Sequence, residues 1–296
     1  MSYINVRGVE HYYEWIKKPS DGVKPVMVFI HGWAGSGRYW KSTADALSDR
    51  FDCLLYDLRG FGRSRGKPSI AKASEAVVES QSVQEETEAI QELTYELEEY
   101  ADDLAAMLDQ LEVKRVFLNA HSMGASIATL FLNRYPQRVE KAILTCSGVF
   151  EYDEKAFTAF HKFGGYVVKF RPKWLEKIPL VDRMFMARFL HRPIPAPERQ
   201  AFLQDFLLAD YDAALATIFT SVSKTATEVM PQEFAQLTVP TLLVAGEYDR
   251  IIPASMGRSA ATLSDAIKFV MIPNTAHFPM LEDAPTYLQQ VQEFLY

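Results

Sequence analysis

Short apolar runs recur along the chain, and between them lie longer stretches in which apolar residues return every three or four positions. The runs are Val26–Ile30, Cys53–Leu58, Val116–Ala120, Ala142–Cys146, Thr241–Gly246 and Ile267–Ile272. Each is rich in Val, Ile, Leu or Phe without strict alternation, the pattern of strands covered on both faces. The intervening periodicity predicts helices over Gly37–Ser48, Glu86–Leu111, Met123–Tyr135, Ala254–Leu263 and Ala284–Phe294. Strand alternating with helix implies crossover units, hence an α/β fold with a mostly parallel central sheet and helices on both faces. The opening stretch, Tyr3–Ile16, alternates on either side of Gly8 and predicts an antiparallel pair at the sheet edge. There is no internal repeat.

Two stretches break the rhythm. Residues 149–235 contain no strand-like run; they are aromatic, punctuated by Pro and helical in pattern, and they interrupt the sheet after its fifth or sixth strand. They predict an inserted helical cap on a core formed by residues 1–148 and 236–296. Within the cap, Lys155–Arg199 holds ten Lys and Arg against three acids, Glu176, Asp182 and Glu198. Its aromatic residues, from Phe157 through Phe189, are interleaved with Lys162, Lys169, Arg171, Lys173 and Lys177. This pattern suits either a cap core with a solvated basic exterior or an apolar acyl pocket whose basic residues favour a carboxylate group or an anionic interface, through peripheral contact of the cap with a membrane. The second stretch is an acidic insert over residues 67–92. From Glu75 to Glu112 there are thirteen acids and no Lys or Arg. Leu93, Leu97, Tyr100, Leu104, Leu108 and Leu111 repeat at helical spacing, so the latter half predicts a sheet-covering helix with a solvated acidic back. The preceding Ser/Ala/Glu tract is a candidate for docking a protein partner or the cap.

Composition narrows the classes. The chain has 296 residues and a formal charge of −7, which argues against a nucleic-acid partner, since non-specific binding needs a basic footprint. Two cysteines, Cys53 and Cys146, cannot build a disulfide framework and read as buried free thiols of a reducing compartment. Arg7, Glu10, His11 and Glu14 interrupt the apolar stretch that a signal peptide would need, and no uncharged apolar run approaches ~18 residues. A cytoplasmic location without a transmembrane segment is expected.

Four motifs carry candidate chemistry. Val116-Phe-Leu-Asn-Ala-His-Ser-Met-Gly-Ala125 runs from a strand through a tight turn into a helix. Ser122 sits at the turn between Ala120 and Gly124, the spacing of the nucleophile elbow G-x-S-x-G with Ala in the first place. Alone, such a Ser could equally cap a helix. His31-Gly-Trp-Ala-Gly-Ser-Gly37 follows the strand Val26–Ile30 and could aim the backbone N–H of Trp33, with that of Met123, at a developing oxyanion. A phosphate cradle would want Lys then Ser or Thr at the loop's end, and none is there. Gly246-Glu-Tyr-Asp-Arg-Ile-Ile-Pro253 and Asn274-Thr-Ala-His-Phe-Pro279 each follow a strand and bring Asp249 and His277 to the same sheet edge. The chain order Ser, Asp, His is that of a nucleophile, an orienting acid and a base on an open α/β sheet.

On these residues the chain resembles the α/β-hydrolase family over essentially its whole length, with the cap at the family's usual insertion point. Asp57-Leu-Arg-Gly-Phe-Gly-Arg-Ser64 is a further similarity, implying loop architecture for Asp57 and Arg59, not catalysis. His31 is similar to the family's structural histidine behind the oxyanion loop, and the resemblance implies only a wall role for His121. Ala120 is a departure shared with some bacterial lipases; the acidic insert is a larger one. Ser122 argues against the dehalogenases and epoxide hydrolases of the family, which use Asp as nucleophile. An H-G-W loop and a basic cap differ from the H-G-G-P-G loop and anionic cap of proline iminopeptidases. The resemblance thus implies a serine hydrolase of a small-to-medium apolar carboxylic ester. Ser122, Asp249 and His277 would form the triad, Trp33 and Met123 the oxyanion hole, and no metal or organic cofactor would be needed. The alternatives are a thioester, amide or carbon–carbon hydrolase using the same triad, or a slow ligand-binding or signalling member of the fold.

Overall fold

The computed structural model describes residues 2–17, 22–64, 93–150, 164–221 and 223–296. The acidic insert 67–92 lies outside the described residues, as do Phe157, Phe160 and Phe163 of the cap.

Eight strands form one sheet: β1 (Ser2–Val6), β2 (Val9–Ile16), β3 (Val26–Ile30), β4 (Asp52–Tyr56), β5 (Val116–His121), β6 (Val139–Thr145), β7 (Thr241–Gly246) and β8 (Ile267–Ile272). Their spatial order is β1-β2-β4-β3-β5-β6-β7-β8. β1 and β2 form the expected antiparallel edge pair, β2 joins β4 antiparallel, and every later pairing is parallel. The apolar runs of the interior strands are explained by burial on both faces, whereas β8, at the sheet edge, leaves Lys268 and Met271 exposed. In β3, Val28 and Ile30 enter one core with Leu54, Leu118 and Ala120, while Met27 and Phe29 enter the other with Trp40, Leu47 and Tyr287. Cys53 and Cys146 are free and buried; burial pushes the Cys53 thiol up to about 12 and raises that of Cys146 well above its ordinary value.

The first core is closed by α2 (Leu97–Gln110) and α3 (Met123–Arg134), the second by α1 (Lys41–Leu47) and the C-terminal helix Ala284–Leu295. Two predicted helices differ in extent. Gly37–Ser48 divides into a 3-10 turn, Gly37–Trp40, and α1. The described part of the predicted Glu86–Leu111 helix begins only at Leu97, after Glu96 in an extended conformation. Tyr95 is held instead by Asp210, 3.5 Å from its hydroxyl, with the Arg59 guanidinium over its ring. The apolar spacing from Leu93 to Leu97 therefore does not continue the helix.

The helical insert falls between β6 and β7, after the sixth strand. Its described elements are a helix over 164–169, a 3-10 turn Lys173–Lys177, and helices Val181–Met186, Ala196–Leu208, Tyr211–Ser221 and Lys224–Ala235. It grips the loops that follow β3 and β4. Asp205 accepts from Ser36 Oγ at 2.7 Å and from Arg38 Nε at 3.0 Å; the indole N–H of Trp33 donates to Ala214 O at 3.0 Å; and Asp210 N donates to Gly60 O at 2.8 Å. Among the described residues no helix is long and apolar enough to cross a membrane.

Candidate active site

The motif loops follow β3, β5, β7 and β8, all parallel, so they meet at the carboxyl edge of the sheet, where open α/β sheets place their sites. Ser122 lies between β5 and α3 with φ 54° and ψ −123°, a strained conformation for a residue with a side chain. Its N–H is tied to Thr145 O of β6 at 2.9 Å. The turn is this sharp because its neighbours are small. A Cβ on Gly124 would collide with the carbonyl oxygens of His31 and Ile30, and one on Gly32 would stand 3.1 Å from Ser122 Cβ. Glycine at both positions lets α3 and the β3 loop close around the serine.

His277 and Asp249 complete a line of side chains. His277 Nε2 is 3.1 Å from Ser122 Oγ, and Nδ1 is 2.7 Å from Asp249 Oδ2. Both residues are buried, whereas Ser122 is partly accessible. Burial alone would raise the Asp249 carboxyl. The His277 imidazole and the N–H groups of Ile251 and Ile252, at 2.8 and 3.1 Å, outweigh it and hold the group below its ordinary value. An ionised Asp249 only accepts, so Nδ1 carries the proton and Nε2 is left to accept from Ser122. Among the described residues the backbone N–H groups of Trp33 and Met123 have no hydrogen-bond acceptor. Met123 opens α3, where an N–H without a partner is free to bind an anion, and Trp33 lies in the turn after β3.

A second set of buried groups holds this line in place. Gly32 N donates to Tyr39 Oη at 2.6 Å; Tyr39 Oη lies 3.0 Å from His121 Nδ1; His121 Nε2 lies 2.7 Å from the His277 carbonyl. A carbonyl only accepts, so His121 donates from Nε2 and accepts the Tyr39 hydroxyl at Nδ1. Burial, with His277 adding to it, keeps His121 well below its ordinary pKa, and burial raises that of Tyr39, so both remain neutral partners. His121, expected to be wall alone, thus connects the β3 loop to the backbone of His277. Glu282 does the same from the other side. One carboxylate oxygen accepts from Ala276 N and Phe278 N at 2.9 and 3.2 Å; the other accepts from His191 N and Arg192 N of the insert at 2.6 and 2.8 Å. Neither Tyr39 nor Glu282 stood out in the sequence. The only signal for Glu282 is an acid five residues after the histidine, at the end of the otherwise apolar turn Pro279–Glu282.

His31 accepts from Leu58 N at 2.9 Å and donates to Gly32 O at 2.8 Å, which fixes the loop behind Trp33. Asp57 accepts from Gly37 N and Arg63 N, both at 2.8 Å, and Arg59 pairs with Asp103 at 2.8 Å; these groups hold loops. His121, Cys146 and His277 place possible metal ligand atoms within 4.8 Å of one another. Both imidazoles are committed to hydrogen bonds, so a metal there would have to break the Asp249–His277–Ser122 line. Around the site stand aromatic walls. The Phe206 ring is 6.0 Å from Trp33 and 4.9 Å from Phe185, and Phe189 is 6.1 Å from His277.

A family model for the alpha/beta hydrolase fold matches residues 25–284. The pimeloyl-[acyl-carrier protein] methyl ester esterase of Vibrio cholerae is 22% identical over 90% of this chain and 93% of its own length. An uncharacterised hydrolase of Bacillus subtilis is 21% identical over 98% of this chain and 96% of its own. Among solved structures, a thermophilic esterase from Thermogutta terrifontis superposes with a TM-score of 0.71 at 21% identity, covering 100% of this chain and 98% of that one. The last likeness concerns the fold.

Proposed function

Because the chain belongs to the alpha/beta hydrolase family, we propose that it is a serine hydrolase of small-to-medium apolar carboxylic esters. The observation that carries this reading is the hydrogen-bonded line from Asp249 through His277 to Ser122 on a strained turn. Ser122 Oγ attacks the ester carbonyl while His277 Nε2 takes its proton. Asp249 holds the imidazole in the productive tautomer and stabilises it once protonated. The N–H groups of Trp33 and Met123 receive the oxyanion; each such donor contributes about 10²–10³-fold in rate. His277 then protonates the departing alkoxide, leaving an acyl-enzyme on Ser122. Water attacks the acyl carbonyl, gives its proton to His277, and the acid departs as Ser122 recovers its own. In this reading residues 149–235 cap a core of residues 1–148 and 236–296, and the walls of Trp33, Phe185, Phe189 and Phe206 favour an apolar substituent.

The experiment is hydrolysis of a nitrophenyl ester series from acetyl to long acyl chains, with Ser122→Ala alongside. Turnover should peak at one chain length and fall at least about 10⁴-fold in the variant, whose fold is retained. Background turnover in both proteins, with stoichiometric phosphonate labelling of Ser122 in the wild type, would overturn the esterase reading in favour of a slow ligand-binding protein or another acyl bond.

A further inference from the structure

The outer layer of the helical insert has an unusual surface. Among the described residues, fourteen large apolar side chains are exposed, and six of them fall within residues 166–184: Tyr166, Phe170, Trp174, Ile178, Leu180 and Met184. Phe170 is 68%, Leu180 62% and Met184 77% exposed. The others are scattered along the chain or sit further along the same insert, as Leu208 and Tyr211 do. Folding therefore leaves this face uncovered where the rest of the surface is ordinary; single exposed apolar residues need no explanation, whereas a group of them does.

Charge accompanies the apolar residues. Lys169, Lys173 and Lys177 each immediately precede one of them, giving Lys-Phe, Lys-Trp and Lys-Ile at intervals of four residues. Arg183 and Arg188 are exposed beside Met184. Over 164–192 the acids are Glu176 and Asp182, and Asp182 is taken by Arg199 at 2.8 Å. Five exposed cations thus face one free carboxylate. The turn Lys173–Lys177 and the helix Val181–Met186 both pack on the helix Ala196–Leu208, so they present one outer layer. That same helix carries Asp205 to Arg38 and Phe206 to Trp33 at the candidate site.

We propose that residues 166–188 form a docking face for an anionic lipid bilayer. Aromatic and aliphatic side chains enter the boundary between headgroups and acyl chains, and the lysines extend their ammonium groups to the lipid phosphates. The alternation itself selects this occupant. The buried centre of a protein–protein interface is depleted in Lys, because an ammonium there must lose its water. At a bilayer surface the ammonium keeps its water and gains an anion. Docking in this orientation turns the helix that supports Trp33 towards the membrane, so an ester dissolved in the bilayer is presented to the capped side of the sheet.

The test is cosedimentation of the full chain with vesicles of phosphatidylcholine alone and of phosphatidylcholine mixed with phosphatidylglycerol. It is read with Ser122→Ala as well as wild type, so that binding is scored independently of turnover. The mixed vesicles should capture the protein at low salt and release it as salt rises, and the neutral vesicles should capture far less. Lys169→Glu, Lys173→Glu and Lys177→Glu combined should weaken capture at least about tenfold, as should Phe170→Ser with Trp174→Ser. Both variants should keep the wild-type melting temperature, because the residues are exposed. Failure to bind the mixed vesicles, or equal binding by the variants, overturns the proposal. A large loss of thermal stability in the serine variant would show the face covered by the chain itself, and a dimer dissociated by either variant would show a second copy on it; both also overturn the proposal.

Discussion

At Ser122 the backbone pays a conformational cost to project a hydroxyl, and the groups that make the cost bearable are spread over the chain. Tyr39 is the most direct of them to test, because its buried hydroxyl serves two partners at once: it accepts from Gly32 N and reaches His121 Nδ1. Tyr39→Phe leaves both buried groups unpaired. We expect a stability loss of roughly 1–3 kcal/mol and a drop in kcat of about tenfold, with KM for an acetyl ester little changed. An unchanged kcat would show that Gly32 and His277 hold their places without the bridge. Glu282→Gln tests the other brace. The amide oxygen can satisfy one pair of N–H groups, but its NH₂ faces the other pair, so two donors lose their acceptor. The cost should be roughly 2–4 kcal/mol in urea denaturation, accompanied by slower ester turnover. Wild-type stability in this variant would mean that the insert and the His277 loop are held by other contacts.

Between elements, the decisive approach is that of α3 to the end of β3. Gly124 permits it, since a Cβ there would overlap two carbonyl oxygens of rigid backbone. Gly124→Ala must therefore push α3 away from the loop that carries Trp33. A destabilisation of about 1–3 kcal/mol follows from overpacking, with a fall in kcat larger than any change in KM. A thermal melt and ester kinetics on the one variant check both; wild-type values would show that the helix can shift at no cost. Elements were legible in the sequence where burial dictated them. β3 and β7 begin and end where the apolar runs do, because a strand buried on both faces has no solvent-facing position to blur its limits; β8 keeps its predicted limits too, although at the sheet edge it leaves Lys268 and Met271 exposed. The start of α2 was not legible, since Tyr95 and Glu96 take their conformations from Arg59 and Asp210, far away in sequence.

Across the whole molecule, three buried histidines couple stability to pH. Burial lowers the basicity of His11, His31 and His121. Each stays neutral in the fold at pH values where the unfolded chain takes up a proton, below about 6.5. The unfolded state then binds more protons, so this contribution is complete above that pH and is lost as pH falls through it. The slope is at most about 1.4 kcal/mol per pH unit for each histidine. Asp249, held below its ordinary value, adds a further loss only at more acid pH, as its carboxylate is protonated. Urea midpoints should therefore fall steadily between about pH 7 and about pH 5, and less steeply in His11→Gln. A flat profile would mean that these histidines take up protons in the fold.

The alternation of apolar runs with helical periods specified a mostly parallel sheet, and the residues Ser122, Asp249 and His277 could be named because small-residue spacing and strand ends are local properties. Such properties depend on sterics within a few bonds, and a linear sequence records them directly. The supports of that line are of another kind. Tyr39 reaches His121 across 82 positions, His121 reaches the His277 carbonyl across 156, and Glu282 joins the loop of His277 to the insert 91 positions away. Tyr, His and Glu occur throughout the chain, and nothing local distinguishes a buried hydrogen-bond bridge from a solvated side chain. The outer face of the insert belongs to the same class. Its Lys–apolar alternation was visible, but whether those side chains formed a core or an exterior depended on how the insert packed against Arg38 and Trp33. Partnership and exposure are set by the packing of distant segments, and so became legible only once the chain was folded.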